Sequence, residues 1–562
     1  MNDQKNLLLA IVLSAMVLFG WTLISEQYFP APKPAPVAAV PPAAAAKATN
    51  DGPMADGPSM TRARGVVMAE SPRIAIRTPT LIGSINLSGA RIDDLVLVKY
   101  RETIQKDSPA IRLFSPSGAP QAYFAQSGWT GAGTPPADAI WTTAATELTP
   151  TSPVSLAWTN AEGIRFEIAI AVDTAYMFTI TQRVLNNGTT PLSLRPYGLV
   201  ARNGASKDPD TWTAHVGPMG VFDEIVNDVN YEDVAETGSA KFTSTGGWLG
   251  FTDQYWLTAL IPDQRAKIDA TFRHGIGDRF QANFSLNETV GPRSAATVTS
   301  RLFAGAKEVP LLDDYKTRLG IPQFDKALDW GWFYWIAKPI FYLLDWLFKM
   351  VGNFGVAIIC LTLIVRTVMF PIANKQYASM AGMRVLQPKM KALQEKWKDD
   401  RVRLQQETME LYKSEKINPL AGCLPIFLQI PIFYALYKTL MLTLEMRHQP
   451  FALWIKDLSA PDPLTPINLF GLLPFTPPSF IALGILPIIL GISMWLQQKF
   501  NPQPMDPAQQ QIFALMPWIF MVIMAPFAAG LVVYWIVSNF FTVGQQWLLL
   551  RRHPVPAVEP TK

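Results

Sequence analysis

Hydrophobic positions follow several rhythms along this chain, and the changes between them divide it. Residues 6–24 form a nearly continuous apolar run of about 19 residues behind Lys5. That length spans a bilayer and exceeds the apolar core of an ordinary signal peptide. Residues 1–25 are therefore predicted to be an uncleaved signal-anchor helix, with a removable signal peptide as the alternative. Residues 26–61 are rich in Pro and Ala and cannot bury enough surface to offset chain entropy, which predicts a disordered linker. From residue 62 the period becomes two. Ile164, Phe166, Ile168 and Ile170 alternate with Arg165, Glu167 and Ala169, and similar short runs recur to residue 309. An all-β sandwich is predicted over residues 62–328, ending in a helix near residues 311–319. Turns are predicted at Asn186-Asn187-Gly188 and Thr245-Gly246-Gly247.

After residue 329 the apolar density rises sharply. Within residues 329–352, Lys338, Asp345 and Lys349 fall inside about 40° of a helical wheel and leave a broad aromatic face. An amphipathic helix lying in a membrane interface is predicted, with a packed core helix as the alternative and Pro339 as a weak point. Five further apolar stretches follow, at about residues 354–372, 420–442, 480–496, 511–525 and 529–549. With the first they make six predicted transmembrane helices, five of them within residues 353–552. Pro371, Pro425, Pro431, Pro487, Pro517 and Pro526 predict kinks in nearly every one of those five.

Charge orients these stretches. Residues 374–419 hold ten Lys and Arg, whereas residues 443–479 hold only Arg447 and Lys456. The basic segment is thus predicted to be cytoplasmic, which puts both termini inside, the β domain outside, and Phe451 and Trp454 near the outer interface. Residues 375–419 read as a helical hairpin. Met380, Met383, Leu386, Met390, Leu393 and Trp397 share a stripe, Pro388 kinks the first arm, and Asp399-Asp400 marks the turn. Its positive excess suits lipid phosphates or ribosomal RNA, a solvated charged face being the alternative. Residues 553–562 are a short C-terminal tail.

Composition narrows the chemistry. At 49% hydrophobic and 16% charged, the chain reads as a polytopic α-helical membrane protein with an extracytoplasmic all-β domain. A net charge of +4 argues against a strongly basic nucleic-acid binder. Cys360 and Cys423 both fall in apolar stretches and make no disulfide framework. There is no phosphate-loop motif, His215, His274, His448 and His553 are scattered, and no metal or cofactor pattern is present.

Arg366 is the most informative residue. It lies in the inner half of the second predicted span, where a cation costs roughly 2.5–3.5 kcal/mol. The six predicted spans contain no Asp, Glu or His to offset it. Neutral polar candidates are Thr362 one turn away, Gln429, and on the last span Tyr534, Trp535, Ser538 and Asn539. Tyr534 and Ser538 share a face at i, i+4, as do Trp535 and Asn539. Gathered around Arg366 they would enclose a wet, positive cavity. Snorkelling of the arginine to the lipid phosphates is the alternative. Phe427, Phe433, Met494, Met516 and Met521 add adaptable apolar surface.

Several segments carry a resemblance. They include Ile364-Val365-Arg366, Leu386-Gln387-Pro388-Lys389, Ile417-Asn418-Pro419-Leu420, Pro431-Ile432-Phe433, Pro450-Phe451-Ala452-Leu453-Trp454-Ile455, Asp457-Leu458-Ser459-Ala460 and Ile536-Val537-Ser538-Asn539. Together these resemble the YidC/Oxa/Alb family of membrane protein insertases, in its Gram-negative form with a periplasmic domain. The resemblance implies a five-helix insertase core behind the anchor helix and a periplasmic β-supersandwich. It also implies a hydrophilic groove open to cytoplasm and lipid, with Arg366 as its arginine and Thr362, Gln429, Tyr534, Trp535 and Ser538 beside it. Phe433 and Met516 would be apolar substrate contacts. The hairpin, with Met383, Pro388, Trp397, Asp399 and Asp400, matches a mobile loop linked to signal-recognition-particle receptor and ribosome. An ATP-independent insertase and chaperone of the inner membrane is implied, not an enzyme and without cofactor. Its partners would be nascent membrane proteins, the Sec translocon and the phospholipid bilayer. The short tail departs from members with long basic tails.

Two other classes were weighed. A secondary transporter would explain broken helices, but titratable intramembrane groups and repeated halves are missing. A sandwich can also host carbohydrate chemistry, for which Asp208, Asp210, Asp223 and Glu224 are a loose hint.

Overall fold

The structure is a computed structural model, described over residues 61–208, 214–397, 400–415, 424–470, 472–473, 483–500 and 507–552. The predicted anchor, the linker up to residue 60, Asp399 and the tail lie outside the described residues, as do the side chains of residues 375–385, Met383 among them. The chain divides between Asp329 and Trp330 into two compact units.

The first unit is built on two sheets, of eleven and eight strands. Alternation explains them locally. In the strand Arg165–Val172, Phe166, Ile168 and Ile170 are buried, and they face Val184, Gln182 and Ile180 across an antiparallel ladder. Gln182 is the polar exception. Its Nε2 donates to the Gly128 carbonyl at 2.7 Å, a bond from one sheet to the other, while its Oε1 is buried without a partner among the described residues. Both predicted turns are turns, yet each carries the chain from one sheet into the other instead of closing a hairpin. At the first, Asn186 Oδ1 accepts the Gly188 N–H at 3.0 Å. At the second, Gly246 and Gly247 have φ of 67° and 87°, values that favour glycine. The helix Val309–Arg318 closes the unit, buried through Leu312 and Tyr315, and Tyr315 donates to Asp173 at 2.5 Å.

A charged cluster lies inside this unit. Arg202 bonds Asp253 at 3.0 Å, with side chains only 12% and 11% exposed, and its guanidinium lies over the rings of Tyr123, Tyr231 and Phe251. Burial works against the Arg202 charge, yet the Asp253 carboxylate outweighs it and holds the guanidinium more firmly protonated than usual. Lys307 is buried nearby, donating to Thr252 Oγ1 at 3.0 Å. Burial pushes its ammonium down from 10.5 to about 8 against the pull of Asp253, Asp208 and Asp329. Below pH 8 the lysine is charged in folded and unfolded chains alike, and the folded state bears the full desolvation cost. Between about 8 and 10.5 the folded chain loses the proton first, so stability rises with pH across that window, by on the order of 3 kcal/mol. Denaturant unfolding of the intact, detergent-solubilised protein should show this rise, and the Lys307→Met variant should lack it.

The second unit is helical: α1 (Tyr334–Val351), α2 (Phe354–Val368), α3 (Phe370–Lys396), α4 (Arg401–Ser414), α5 (Leu424–Leu442), α6 (Ile485–Phe500), α7 (Pro507–Ile523) and α8 (Ala529–Arg552). Helix α8 packs against α2 and α6, α1 against α2, and α6 against α7. Phe354, Ile358, Leu361, Leu436, Leu490, Leu531 and Val532 belong to their common core. Among the described residues no helix is both long and apolar enough to cross a membrane. Helix α2, at 15 residues, is about 22 Å long.

Expectation and structure part company at the prolines. Pro371 and Pro487 stand in the first turns of α3 and α6, where no helical N–H is required, and Pro526 follows the end of α7. Pro431 and Pro517 interrupt a helix interior. Helix α1 starts at Tyr334, runs through Pro339, and is apolar on two faces. Ala337, Phe341, Leu344 and Leu347 are buried, while Trp335, Tyr342, Trp346 and Met350 are exposed. The polar stripe narrows to its margin, where Lys349 bonds Asp345 at 2.6 Å.

Candidate functional site

Within the apolar core of the helical bundle lie a few polar contacts, and they converge on α8. Arg366 occupies the last turn of α2, where the helix dipole favours a cation. Its Nε donates to Ser538 Oγ at 2.9 Å, and Nη2 donates to the same oxygen. Ser538 is 1% exposed. Gln429 of α5 donates through Nε2 to the Tyr534 hydroxyl at 2.6 Å. Asn539 donates through Nδ2 to Ser493 of α6 at 2.9 Å. Three neighbouring helices are thus each tied to α8 by one neutral acceptor or donor. The sequences of α2, α5, α6, α7 and α8 contain no Asp, Glu or His, so a carboxylate partner for Arg366 cannot come from them.

Not every residue singled out from the sequence joins this group. Thr362 is fully buried, and its hydroxyl turns back to the Ile358 carbonyl at 2.7 Å, within its own helix. Trp535 lies among rings, with centroids 4.9 Å from Phe433 and 5.4 Å from Phe520. Phe433 is therefore part of a packed aromatic cluster, and Met516 is half-buried on α7. The outside of the bundle is apolar. Ile512, Phe513, Leu515, Trp518, Ile519 and Val522 of α7 are all exposed, as are Leu363, Ile364 and Val368 of α2. Large apolar side chains thus cover the outside of a bundle whose apolar core also holds polar contacts, which is not the surface of a water-soluble bundle.

The hairpin is formed by α3 and α4. Lys389 and Glu415 join its arms at 2.5 Å. Asp400 caps α4 by accepting the Arg403 N–H at 3.0 Å, and the Arg403 guanidinium covers the Trp397 ring at 4.3 Å. Pro388 lies inside α3, which begins at Phe370.

The segment after α5 is locked by side-chain bonds that its sequence does not announce. Asp457 accepts from Ser459 N–H at 2.9 Å and lies 2.7 Å from His448 Nδ1. Burial pushes its carboxyl up, but the bonds from Ser459 and His448 outweigh this and hold it below the usual carboxylate range. Asp462 accepts from Trp454 Nε1 at 3.0 Å and from the Leu486 N–H at 2.7 Å, fastening the segment to the first turn of α6. Asn353 caps α2 and donates to the Phe451 carbonyl at 2.8 Å. A Cβ on Gly355 would fall 1.9 Å from the Phe451 ring. Gly355→Ala should therefore lower stability by about 1–3 kcal/mol, read as a reduced Tm of the solubilised protein, and adding Phe451→Ala should recover part of it. Lys438 of α5 was also overlooked. It is 1% exposed, with its ammonium 5.8 Å from the centre of the Tyr434 ring at i−4.

Known proteins match across both units. Residues 73–343 match the family described as YidC periplasmic domain, and residues 346–556 match the one described as 60Kd inner membrane protein. The membrane protein insertase YidC of Zymomonas mobilis subsp. mobilis is 49% identical over 99% of this chain and 96% of its own. That of Rhizobium etli is 48% identical over 87% of this chain and 83% of its own. A solved structure titled "Active YidC insertase crystal structure with the first transmembrane domain resolved" covers 85% of this chain and 95% of its own at 17% identity and a TM-score of 0.36, too distant to carry an argument. The chain belongs to the YidC family of membrane protein insertases. Its first unit is the large all-β periplasmic domain of that family, whose named role is not enzymatic.

Proposed function

We propose that this protein inserts nascent membrane proteins from the cytoplasm into the inner-membrane bilayer, without ATP, through a hydrophilic groove centred on Arg366. The observation that carries the reading is a set of polar contacts between helices inside a bundle whose outer surface is apolar. Arg366–Ser538 and Gln429–Tyr534 are polar contacts between helices whose outer faces expose Ile, Leu, Phe and Trp. In this reading the helical unit sits in the bilayer as five spans behind the anchor helix, with both termini cytoplasmic. A guanidinium held by a neutral hydroxyl keeps its charge available. It lowers the cost of bringing an acidic or polar stretch into the inner leaflet, while the substrate's apolar helix drives release into lipid. The aromatic cluster of Phe433 and Trp535, with Met516, would face the apolar part of the substrate. The α3–α4 hairpin would receive chains from the ribosome and the signal-recognition-particle receptor, and the Sec translocon would share larger substrates.

The test is site-specific crosslinking. A photoreactive residue at position 429 or 433 should capture a ribosome-stalled single-span substrate, and one at position 513 of α7 should capture lipid instead. Equal capture of the nascent chain at all three positions would contradict a groove.

A further inference from the structure

Polar character on α8 does not stop at Ser538. At 100° per residue, Tyr534, Ser538, Thr542 and Gln545 lie within about 80° of one another, a single stripe three turns long. Thr542 and Gln545 are 6% and 7% exposed, which is deep burial for polar side chains in a membrane protein's last helix. Their hydrogen bonds are incomplete in a specific way. Thr542 spends its hydroxyl proton on the Ser538 carbonyl at 2.8 Å, which leaves the oxygen as an acceptor. Among the described residues the Gln545 Nε2 is buried with no hydrogen-bond partner, and so presents unused donors. An unmade bond at a buried amide is costly, and a leucine would fill the position more cheaply if packing were the purpose.

Resting on the groove reading above, we infer that Thr542 and Gln545 form a docking site for the backbone N–H and C=O of one residue of the entering chain, which point to the same side when that residue is extended. Residues at i and i+3 are neighbours on a helix surface. The substrate N–H donates to Thr542 Oγ1 while its carbonyl accepts from Gln545 Nε2. Recognition of backbone in this way is independent of substrate sequence. It satisfies backbone groups that have left water and have not yet closed a helix, which is the costly moment of insertion. Arg366 and Ser538 then receive charged or polar side chains farther along.

The experiment uses the full-length protein in membrane vesicles. A photoreactive residue is placed at position 545 or, separately, at 538, and a single-span substrate is stalled at stepwise lengths. Gln545 is seven residues beyond Ser538, about 10 Å along the helix, so an extended chain should reach 538 at a length about three residues greater than it needs for 545. Capture at 538 with none at 545 at any length overturns this inference and leaves the groove standing. Capture at neither position overturns both. Gln545→Leu should reduce insertion by about two- to tenfold, the loss of one hydrogen bond, while Gln545→Asn keeps most of it. Because leucine removes an unsatisfied buried amide, the Leu variant should melt no lower than the parent. Wild-type insertion by the Leu variant, or loss of insertion that follows a lowered Tm, counts against the site.

Discussion

Replacing Arg366 with alanine should reduce insertion of substrates with acidic translocated segments at least tenfold, while substrates with neutral segments lose only a few-fold. The difference follows from charge. A tenfold change corresponds to about 1.4 kcal/mol, well within what one cation contributes to a carboxylate at close range in a partly hydrated site. Ser538 holds the guanidinium through Nε at 2.9 Å without neutralising it, and α2, α5, α6, α7 and α8 contain no acidic residue that could. Arg366→Lys should recover most acidic-substrate insertion if charge dominates, and little if the two-point grip on Ser538 is what positions the group. Protease protection of translocated tails, measured for paired acidic and neutral substrates, distinguishes the outcomes. Equal loss for both classes would show that Arg366 supports the fold and does not attract substrate.

Asp253→Ala should be strongly damaging to the β domain, at about 3–5 kcal/mol. The Arg202–Asp253 pair is nearly buried, and its rings, Tyr123, Tyr231 and Phe251, offer the cation only partial compensation. Removing the carboxylate leaves Arg202 charged in a poorly solvated place, and Lys307 loses one of the acids that hold its proton. Replacing both members of the pair with Met and Leu should cost much less than Asp253→Ala alone. Denaturant midpoints for the single and double variants, followed in the solubilised protein, measure this. A double variant no more stable than Asp253→Ala would argue that packing, and not charge burial, sets the cost.

How much of this was legible in the sequence depends on the range of the interaction. Alternation around Ile168 is a local property, and the strand Arg165–Val172 follows it residue by residue. Which sheet receives the chain after Asn186 is decided by pairing with strands distant in sequence, as Arg195 with Thr130 and Tyr197 with Ser285, and nothing near the turn announces it. Arg366 stood out because one cation in an apolar run is expensive. Its choice of Ser538 over Thr362 was not readable, because a threonine within a helix can spend its hydroxyl on the carbonyl four residues back, as Thr362 does. The prolines misled for a similar reason. Their effect depends on position relative to a helix start, and Pro371 and Pro487 sit where the missing N–H is harmless. Trp535 was grouped with Asn539 by spacing, but ring packing with Phe433 and Phe520 took it instead. Lys438 and Gln545 carried a usable signal, polar residues inside apolar runs, that attention to Arg366 obscured.

Water at the Arg366 site is the condition for all of this, and it can be measured directly. In a background lacking Cys360 and Cys423, a single cysteine at position 429, half-buried on α5 opposite Tyr534, should react with a charged, membrane-impermeant maleimide added from the cytoplasmic side, and a stalled substrate should protect it. A control cysteine at position 519, on the exposed apolar face of α7, should stay unmodified. Failure of the 429 thiol to react, in protein that still inserts substrate, would make the polar contacts around α8 a dry interior and contradict the groove.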